Sequence, residues 1–319
     1  MTASGAATGR GQALARLAWA TLAYNVAVIL WGAYVRVTGS GAGCGNHWPL
    51  CNGDVVPQNG QIQTLIEFAH RVTSGLSLVM VFTLLVWCWR KTTRGAWPRY
   101  AAVAAAILLL NEALLGAGLV LFDYVAKDQS AGRAVFLSLH FGNTLLLLAS
   151  LALTAQWLSR SELRLKVAAK PWQVAVIGVG LLAVVLVGIT GALTALGDTL
   201  FPAVSLRSSL AQDFAASSHI LLRLRLLHPF AAVTAALYIL WALVTSPVRP
   251  VRSRRKLIFL LSLLLVQLAL GALNVLLLAP SWLQILHLLV AELIWITLVL
   301  VSGELLFERR ESGLNPSEP

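Results

Sequence analysis

Apolar residues run along this chain in eight long blocks, near residues 14–36, 66–89, 99–122, 134–158, 173–195, 219–245, 257–279 and 283–306. Each is close to the roughly 20 residues that cross a bilayer core of about 30 Å as an α-helix. A bilayer leaves no water for unpaired backbone groups, so each block must satisfy its own hydrogen bonds, and a helix does that within one segment. The pattern therefore predicts an all-α membrane protein of eight transmembrane helices, here called spans 1 to 8, joined by short polar connections.

Composition sharpens this picture. Hydrophobic residues make up 58% of the 319 and charged residues only 12%, about half the charged share of a soluble domain. Mean hydropathy is +0.78. A disordered chain, a small secreted disulfide scaffold and an ordinary soluble enzyme are excluded, because a soluble fold of this size cannot hide so much apolar surface.

The net charge of +11 invites a nucleic-acid reading until the cations are placed. Arg10 and Arg16 flank span 1. Arg90, Lys91, Arg94 and Arg99 follow span 2; Arg160, Arg164, Lys166 and Lys170 follow span 4. Arg249, Arg252, Arg254, Arg255 and Lys256 follow span 6, and Arg309 and Arg310 follow span 8. All lie on one side, which the positive-inside rule makes cytoplasmic. Both termini are then cytoplasmic, the lipid bilayer is the partner that explains the charge, and no nucleic acid is needed. Span 1 is too long for a signal-peptide core, and no suitable cleavage site follows it, so it reads as retained. Residues 1–13 and 309–319 read as cytoplasmic tails.

Two halves resemble one another. Leu108-Leu-Leu and Leu115-Gly-Ala in span 3 return in span 7 as Leu263-Leu-Leu and Leu270-Gly-Ala, while Gly32 and Gly41 match Gly188 and Gly197 at one similar offset. The expected organisation is an N-terminal four-helix half, 14–160, a cytoplasmic linker, 161–170, and a C-terminal half, 171–308. Four spans return the chain to its starting side, so the halves would be parallel repeats about an axis along the membrane normal.

Four of the six histidines sit inside spans: His70, His140, His228 and His287, on spans 2, 4, 6 and 8. All are within about three turns of the outer end. An ionisable side chain in a membrane helix is costly and marks function by default. A lone one would more simply hydrogen-bond across a bundle; four at one depth, repeated between halves, point further. Zinc or copper would want three or four protein ligands, and each half offers two. Haem iron takes two axial histidines and receives its other four ligands from the porphyrin. Near the outer surface, Arg36, Arg71, Arg223 and Arg225 are available to porphyrin propionates. His47 and His219 read as surface histidines.

The halves differ at one place. Glu67 stands three residues before His70, and Arg225 three residues before His228. Residues at i and i+3 share a helix face, so one haem-sized site carries a carboxylate beside its histidine and the other a guanidinium. A cation can hold a propionate; a carboxylate can move protons or stabilise developing positive charge. If one half reacts and the other only conducts electrons, the first half is then the reactive one. The plainer reading of Glu67 is a solvated carboxylate near a helix N-terminus. Cys44 and Cys51 lie on the outer, oxidising side, where a disulfide is expected, and Cys88 reads as a buried free thiol. Glu112 lies midway along span 3, where Gln267 stands in the other half.

The segments Arg36-Val-Thr-Gly-Ser-Gly, Cys44 with Trp48-Pro-Leu-Cys51-Asn-Gly, and Glu67-Phe-Ala-His70-Arg71 resemble the haem A synthase family. With the single histidines on spans 4, 6 and 8, the likeness covers nearly the whole chain. The resemblance implies an eight-helix enzyme of two pseudosymmetric halves in the bacterial cell membrane, oxidising the C8 methyl group of haem O to a formyl group. The product, haem A, serves cytochrome oxidase. The resemblance also implies haem b on His228 and His287, the substrate haem O between His70 and His140, Glu67 as the essential carboxylate, and Cys44–Cys51 as the disulfide of bacterial members. Haem O synthase, cytochrome oxidase assembly factors and an electron acceptor would be its partners. Glu112 departs from the family pattern, where a glutamine would be expected. Two other classes compete. A non-catalytic di-haem cytochrome b-type carrier would place haems at both membrane faces, and a haem exporter would carry a Trp-rich outer loop.

Overall fold

A computed structural model describes residues 3–58, 60–160, 165–245 and 254–309. Arg164, Arg249, Arg252 and Arg310, Asn59, most of the expected C-terminal tail and the first part of the 161–170 linker lie outside the described residues. The described chain is almost wholly helical: α1 (Ala3–Val37), α2 (Ile62–Lys91), α3 (Trp97–Leu121), α4 (Ala131–Ser159), α5 (Pro171–Leu200), α6 (Leu206–Phe214), α7 (Ile220–Thr245), α8 (Arg254–Leu276) and α9 (Ser281–Leu306). Eight of these, all but α6, contain a stretch long and apolar enough to cross a membrane, so this is a multi-pass membrane protein.

Helix contacts follow one order twice. α1 packs on α2 and α4, α2 on α3, and α3 on α4; α5 packs on α7 and α9, α7 on α8, and α8 on α9. The two sets meet where α4 touches α5 and α9, and where α1 touches α9. Lipid tails are as apolar as leucine, so close approach of backbones, and not hydrophobic burial, drives such packing. Small residues mark the closest crossings accordingly: Ala18, Ala105, Ala152 and Ala155 are fully buried in the largest core cluster, with Leu148 and Leu151 beside them. Trp295, Ile296, Val299 and Leu300 of α9 join that cluster. An apolar helix without a polar face is one made to be buried, and α9 is the most buried span. Trp295 Nε1 donates to Leu145 O at 2.6 Å and Gln156 Nε2 to Leu300 O at 2.9 Å, both across the α4–α9 contact.

Several boundaries differ from the apolar pattern. α1 starts at Ala3, well before residue 14, although Gly5, Gly9 and Gly11 in that stretch are poor helix formers. α5 runs on to Leu200, so Gly197 and Asp198 are helical and not in a loop. Leu193 and Leu196 are buried there against Leu221, and Gly197 brings its backbone close to that of Leu221. α8 stops at Leu276, before residue 279, because Leu278 and Ala279 turn to φ 58° and 52° ahead of Pro280, which disfavours helix in the residue before it. The 201–219 segment holds the unanticipated amphipathic helix α6.

A second unanticipated feature joins the linker to the end of the last span. β1 (Leu165–Val167) pairs antiparallel with β2 (Phe307–Arg309). Trp97 packs between Trp157 and Phe307, with ring centroids 5.9 and 5.4 Å away, and its Nε1 donates to Leu165 O at 3.1 Å. Nearby, Glu304 is ion-paired with both Arg160 and Lys256.

Candidate functional site

His70, His140, His228 and His287 lie roughly two turns into α2, α4, α7 and α9, and all four are half-buried. Each is backed by a glycine on the preceding span. A Cβ at Gly32 would meet the His70 ring at 3.1 Å, at Gly116 the His140 ring at 3.7 Å, at Gly191 the His228 ring at 2.9 Å, and at Gly271 the His287 ring at 3.4 Å. The missing Cβ lets an imidazole stand flat against a neighbouring helix. This corrects the glycine match drawn from spacing. Gly32 corresponds to Gly191 and not to Gly188, whose Cβ would strike Phe141 of α4 at 2.7 Å, at the contact between the two helix sets.

The ring centroids of His228 and His287 are 6.4 Å apart, with planes at 84°. Two imidazoles on opposite faces of one iron, each bonded at about 2 Å, bring their centroids about 6 Å apart. Among the described residues no group of three or more His, Cys, Asp or Glu side chains could hold a metal ion. Two-histidine sites suit a cofactor that brings its own remaining ligands. His70 Nδ1, His140 Nδ1 and His287 Nδ1 are buried without a hydrogen-bond partner, while His228 Nδ1 is 3.2 Å from Thr190 Oγ1. The separation of His228 and His287 fits a haem iron held between them.

Glu67 is not a solvated helix-end carboxylate. It is 4% exposed. Cys44 N donates to its Oε2 at 2.9 Å, and the Arg71 guanidinium, one turn further along α2, donates to its Oε1 from Nε at 3.1 Å and from Nη2. Arg71 Nη1 reaches His47 O and Leu50 O, each at 2.6 Å. The Cys44–Cys51 disulfide is formed, and the loop it closes is thus latched to α2 through Glu67 and Arg71. Gly43 permits this seat: a Cβ there would lie 2.5 Å from the Gln63 carbonyl at the start of α2. Thr64 Oγ1 donates to Gly43 O at 2.7 Å. Arg71 is therefore occupied by the loop and by Glu67.

Arg225 is the mirror case. It donates to Asp198 Oδ1 at 2.8 Å and to Asp213 Oδ1 at 2.5 Å, so α5 and α6 each supply a carboxylate to α7. Pro229, directly after His228, lies inside α7 and leaves the Arg225 carbonyl without its helical donor. Arg36 crosses between the helix sets, donating to Ala195 O at 2.7 Å, Thr199 Oγ1 at 3.1 Å and Gln284 Oε1 at 3.2 Å. Arg223 is exposed and bonds Ala216 O. His47 is exposed, His219 is half-buried beside Phe201, and Cys88 is a buried free thiol.

Sequence reasoning missed Arg133. It is buried at the outer end of α4 and donates to Ala126 O at 2.9 Å and Asp128 O at 2.7 Å. The only signal was a cation two residues inside a helix capped by Ser130. It also missed Asp198 and Asp213, since ordinary acids in an outer loop announce no partner.

The family model for cytochrome oxidase assembly protein (COX15-CtaA) matches residues 15–299. The chain is 46% identical over 295 residues to a Thermus thermophilus protein named Protoheme IX farnesyltransferase, covering 91% of this chain and 48% of that one. It is 44% identical over 126 residues to Heme A synthase of Alkalihalophilus pseudofirmus and 42% identical over 128 residues to that of Halalkalibacterium halodurans, in each case 40% of both chains. The chain spans about half the length, or less, of these curated relatives. With the match running from the first span into the last, the chain belongs to the cytochrome oxidase assembly protein family.

Proposed function

We propose that this chain is a haem A synthase of the bacterial cell membrane, converting the C8 methyl group of haem O to a formyl group. Both termini are cytoplasmic, and two pseudosymmetric four-helix halves, 14–160 and 171–308, form the bundle. The C-terminal half holds haem b on His228 and His287; the N-terminal half takes haem O between His70 and His140. The observation that carries the reading is the buried carboxylate of Glu67, one turn before His70 and tied to the disulfide loop, opposite a guanidinium at the matching place before His228. A pure electron carrier has no use for that inversion. Support for two halves comes from the repeated order of helix contacts and the four glycine-backed histidines, and for the activity from the two relatives named Heme A synthase.

Turning a methyl into a formyl group adds one oxygen atom and removes electrons and protons; written with water as the oxygen source, R–CH3 + H2O gives R–CHO + 4 H+ + 4 e−, the electrons leaving to the electron acceptor. Haem b, when bound, supplies one-electron transfer. His70 and His140 orient the substrate from opposite sides, and Gly32 and Gly116 let them stand close to α1 and α3. Glu67 is the acceptor for protons, held at Oε1 and Oε2 by donors from Arg71 and Cys44. The disulfide loop covers Glu67 from the outer side and keeps bulk water from it. Arg36, Arg71 and Arg225 are the candidates for propionate binding; Arg71 and Arg225 must share themselves with the carboxylates they already pair.

The farnesyltransferase name belongs to a Thermus protein about twice as long as the matched part. An enzyme of that name makes a farnesylated haem, the class of substrate proposed here, which supports a haem O synthase as a physical partner. Cytochrome oxidase assembly factors and an electron acceptor complete the expected partners. The test is pigment extraction from a host making haem O, with and without this chain, followed by mass identification. Haem A is expected only with the chain; haem O alone in both would favour the di-haem carrier.

A further inference from the structure

We propose that Glu112 is a positioning residue for His140, and that it makes the two haem sites electronically unequal; this rests on the two-haem reading above. α3 sets Glu112 Oε1 3.3 Å from His140 Nδ1. That nitrogen is buried and has no hydrogen bond in line with it, so a small rotation of the ring completes the contact. Glu112 itself is firmly held. Asn143 Nδ2 donates to its Oε2 at 2.6 Å and to Leu108 O at 2.8 Å, and the Thr144 hydroxyl stands between Glu112 Oε1 and the His140 carbonyl. Asn111 extends the network to Asn143 at 3.4 Å. A carboxylate within an apolar span is costly, and a packing role for α3 on α4 would be met by any apolar side chain.

At the matching sequence position in the other half stands Gln267, whose amide nitrogen lies 3.2 Å from His287 Nε2, while His287 Nδ1 is buried without a partner. One half thus sets a carboxyl oxygen beside Nδ1 of its histidine, and the other sets none there. A metal-ligating histidine that gives its second ring N–H to a carboxylate has its tautomer and orientation fixed and its basicity raised. With Nδ1–H aimed at Glu112, Nε2 is the His140 nitrogen left for iron. A more basic axial ligand favours oxidised over reduced iron, so the haem on His70 and His140 has a lower midpoint potential than it would with a glutamine at 112.

The full-length protein is stripped of haem in detergent and titrated with iron protoporphyrin IX. Each site's signal is identified by its loss in His140→Ala or His287→Ala. Glu112→Gln is expected to weaken haem at the His140 site by about tenfold or more and to shift its midpoint potential positive. The His228/His287 haem stays unchanged and serves as the folding control. Glu112→Asp should recover part of the potential shift, and Thr144→Val should move it in the direction of Glu112→Gln. Unchanged affinity and potential in Glu112→Gln would overturn the proposal, as would equal shifts at both haems, the mark of a general packing role. A wild-type protein with no His140-dependent haem would overturn the two-site reading itself, and would be seen before any change at 112.

Discussion

The α2 turn before His70 and the α7 turn before His228 each centre on one charged residue, and the two charges have opposite sign. In the first, a carboxylate, Glu67, is held by a cation one turn along its own helix and by the amide of Cys44. In the second, a cation, Arg225, is held by carboxylates from two other elements, Asp198 on α5 and Asp213 on α6. The first arrangement is local and leans on a disulfide loop; the second is tertiary and pulls three elements together. In each, the central charge is compensated where it stands, as a buried charge must be. The two helix sets thus differ in the sign of the residue three before His70 and before His228, while all four histidines are backed by a glycine of the preceding span.

The comparison breaks most sharply at the histidines. His228→Ala or His287→Ala should remove the haem that copurifies with the protein, together with its bis-imidazole absorption bands. A full low-spin spectrum in both variants would refute the C-terminal pair. Next comes the reversed charge itself. Glu67→Gln keeps size and hydrogen bonding, so folding and the C-terminal haem should survive while haem A falls by a factor of about 100 or more, the scale of a lost general base. Arg225→Gln should instead leave Asp198 and Asp213 without their cation and loosen the C-terminal haem, read as its faster transfer to a haem-scavenging protein. Similar effects of both substitutions on haem A yield would erase the proposed division of labour.

Smaller effects grade the glycines. Alanine at Gly191 would press on His228 at 2.9 Å, whereas alanine at Gly116 meets His140 only at ordinary contact, 3.7 Å. Gly191→Ala should weaken haem at its site by about tenfold, as misplacing a ligand does, and Gly116→Ala should change little. Equal haem affinity in the two would show that the close backing is incidental. The smallest effect is expected at the loop. Cys51→Ser frees a short ring whose closure constrains the chain by about 2–3 kcal/mol. Protease sensitivity between Gly43 and Leu50 should rise, with haem A yield falling less than in Glu67→Gln. A drop as deep as that of Glu67→Gln would mean that the disulfide is itself part of the chemistry.

Much of this was legible in the chain because each signal was local. Eight apolar blocks fix eight spans through the hydrogen-bonding demand of the bilayer. The spacing of Glu67 from His70 fixes a shared face, and the depth of four histidines follows from counting along helices. The Cys44–Cys51 pairing needed only two cysteines on one short loop. What depended on side chains meeting from distant segments was invisible. Asp198 and Asp213 read as plain loop acids until α5 extended and α6 folded beside Arg225. That Arg71 donates to two carbonyls of the disulfide loop could not be read from its place on α2 either.

The sequence by itself therefore determined the solvent this protein lives in and the number of its membrane spans, since hydropathy needs no partner to act. Only the tertiary structure decided which glycine backs which histidine, that Arg36 reaches from α1 to α5 and α9, and that Glu112 faces His140. Those are distances between helices, and helices in lipid pack by the fit of small side chains, which no single helix records.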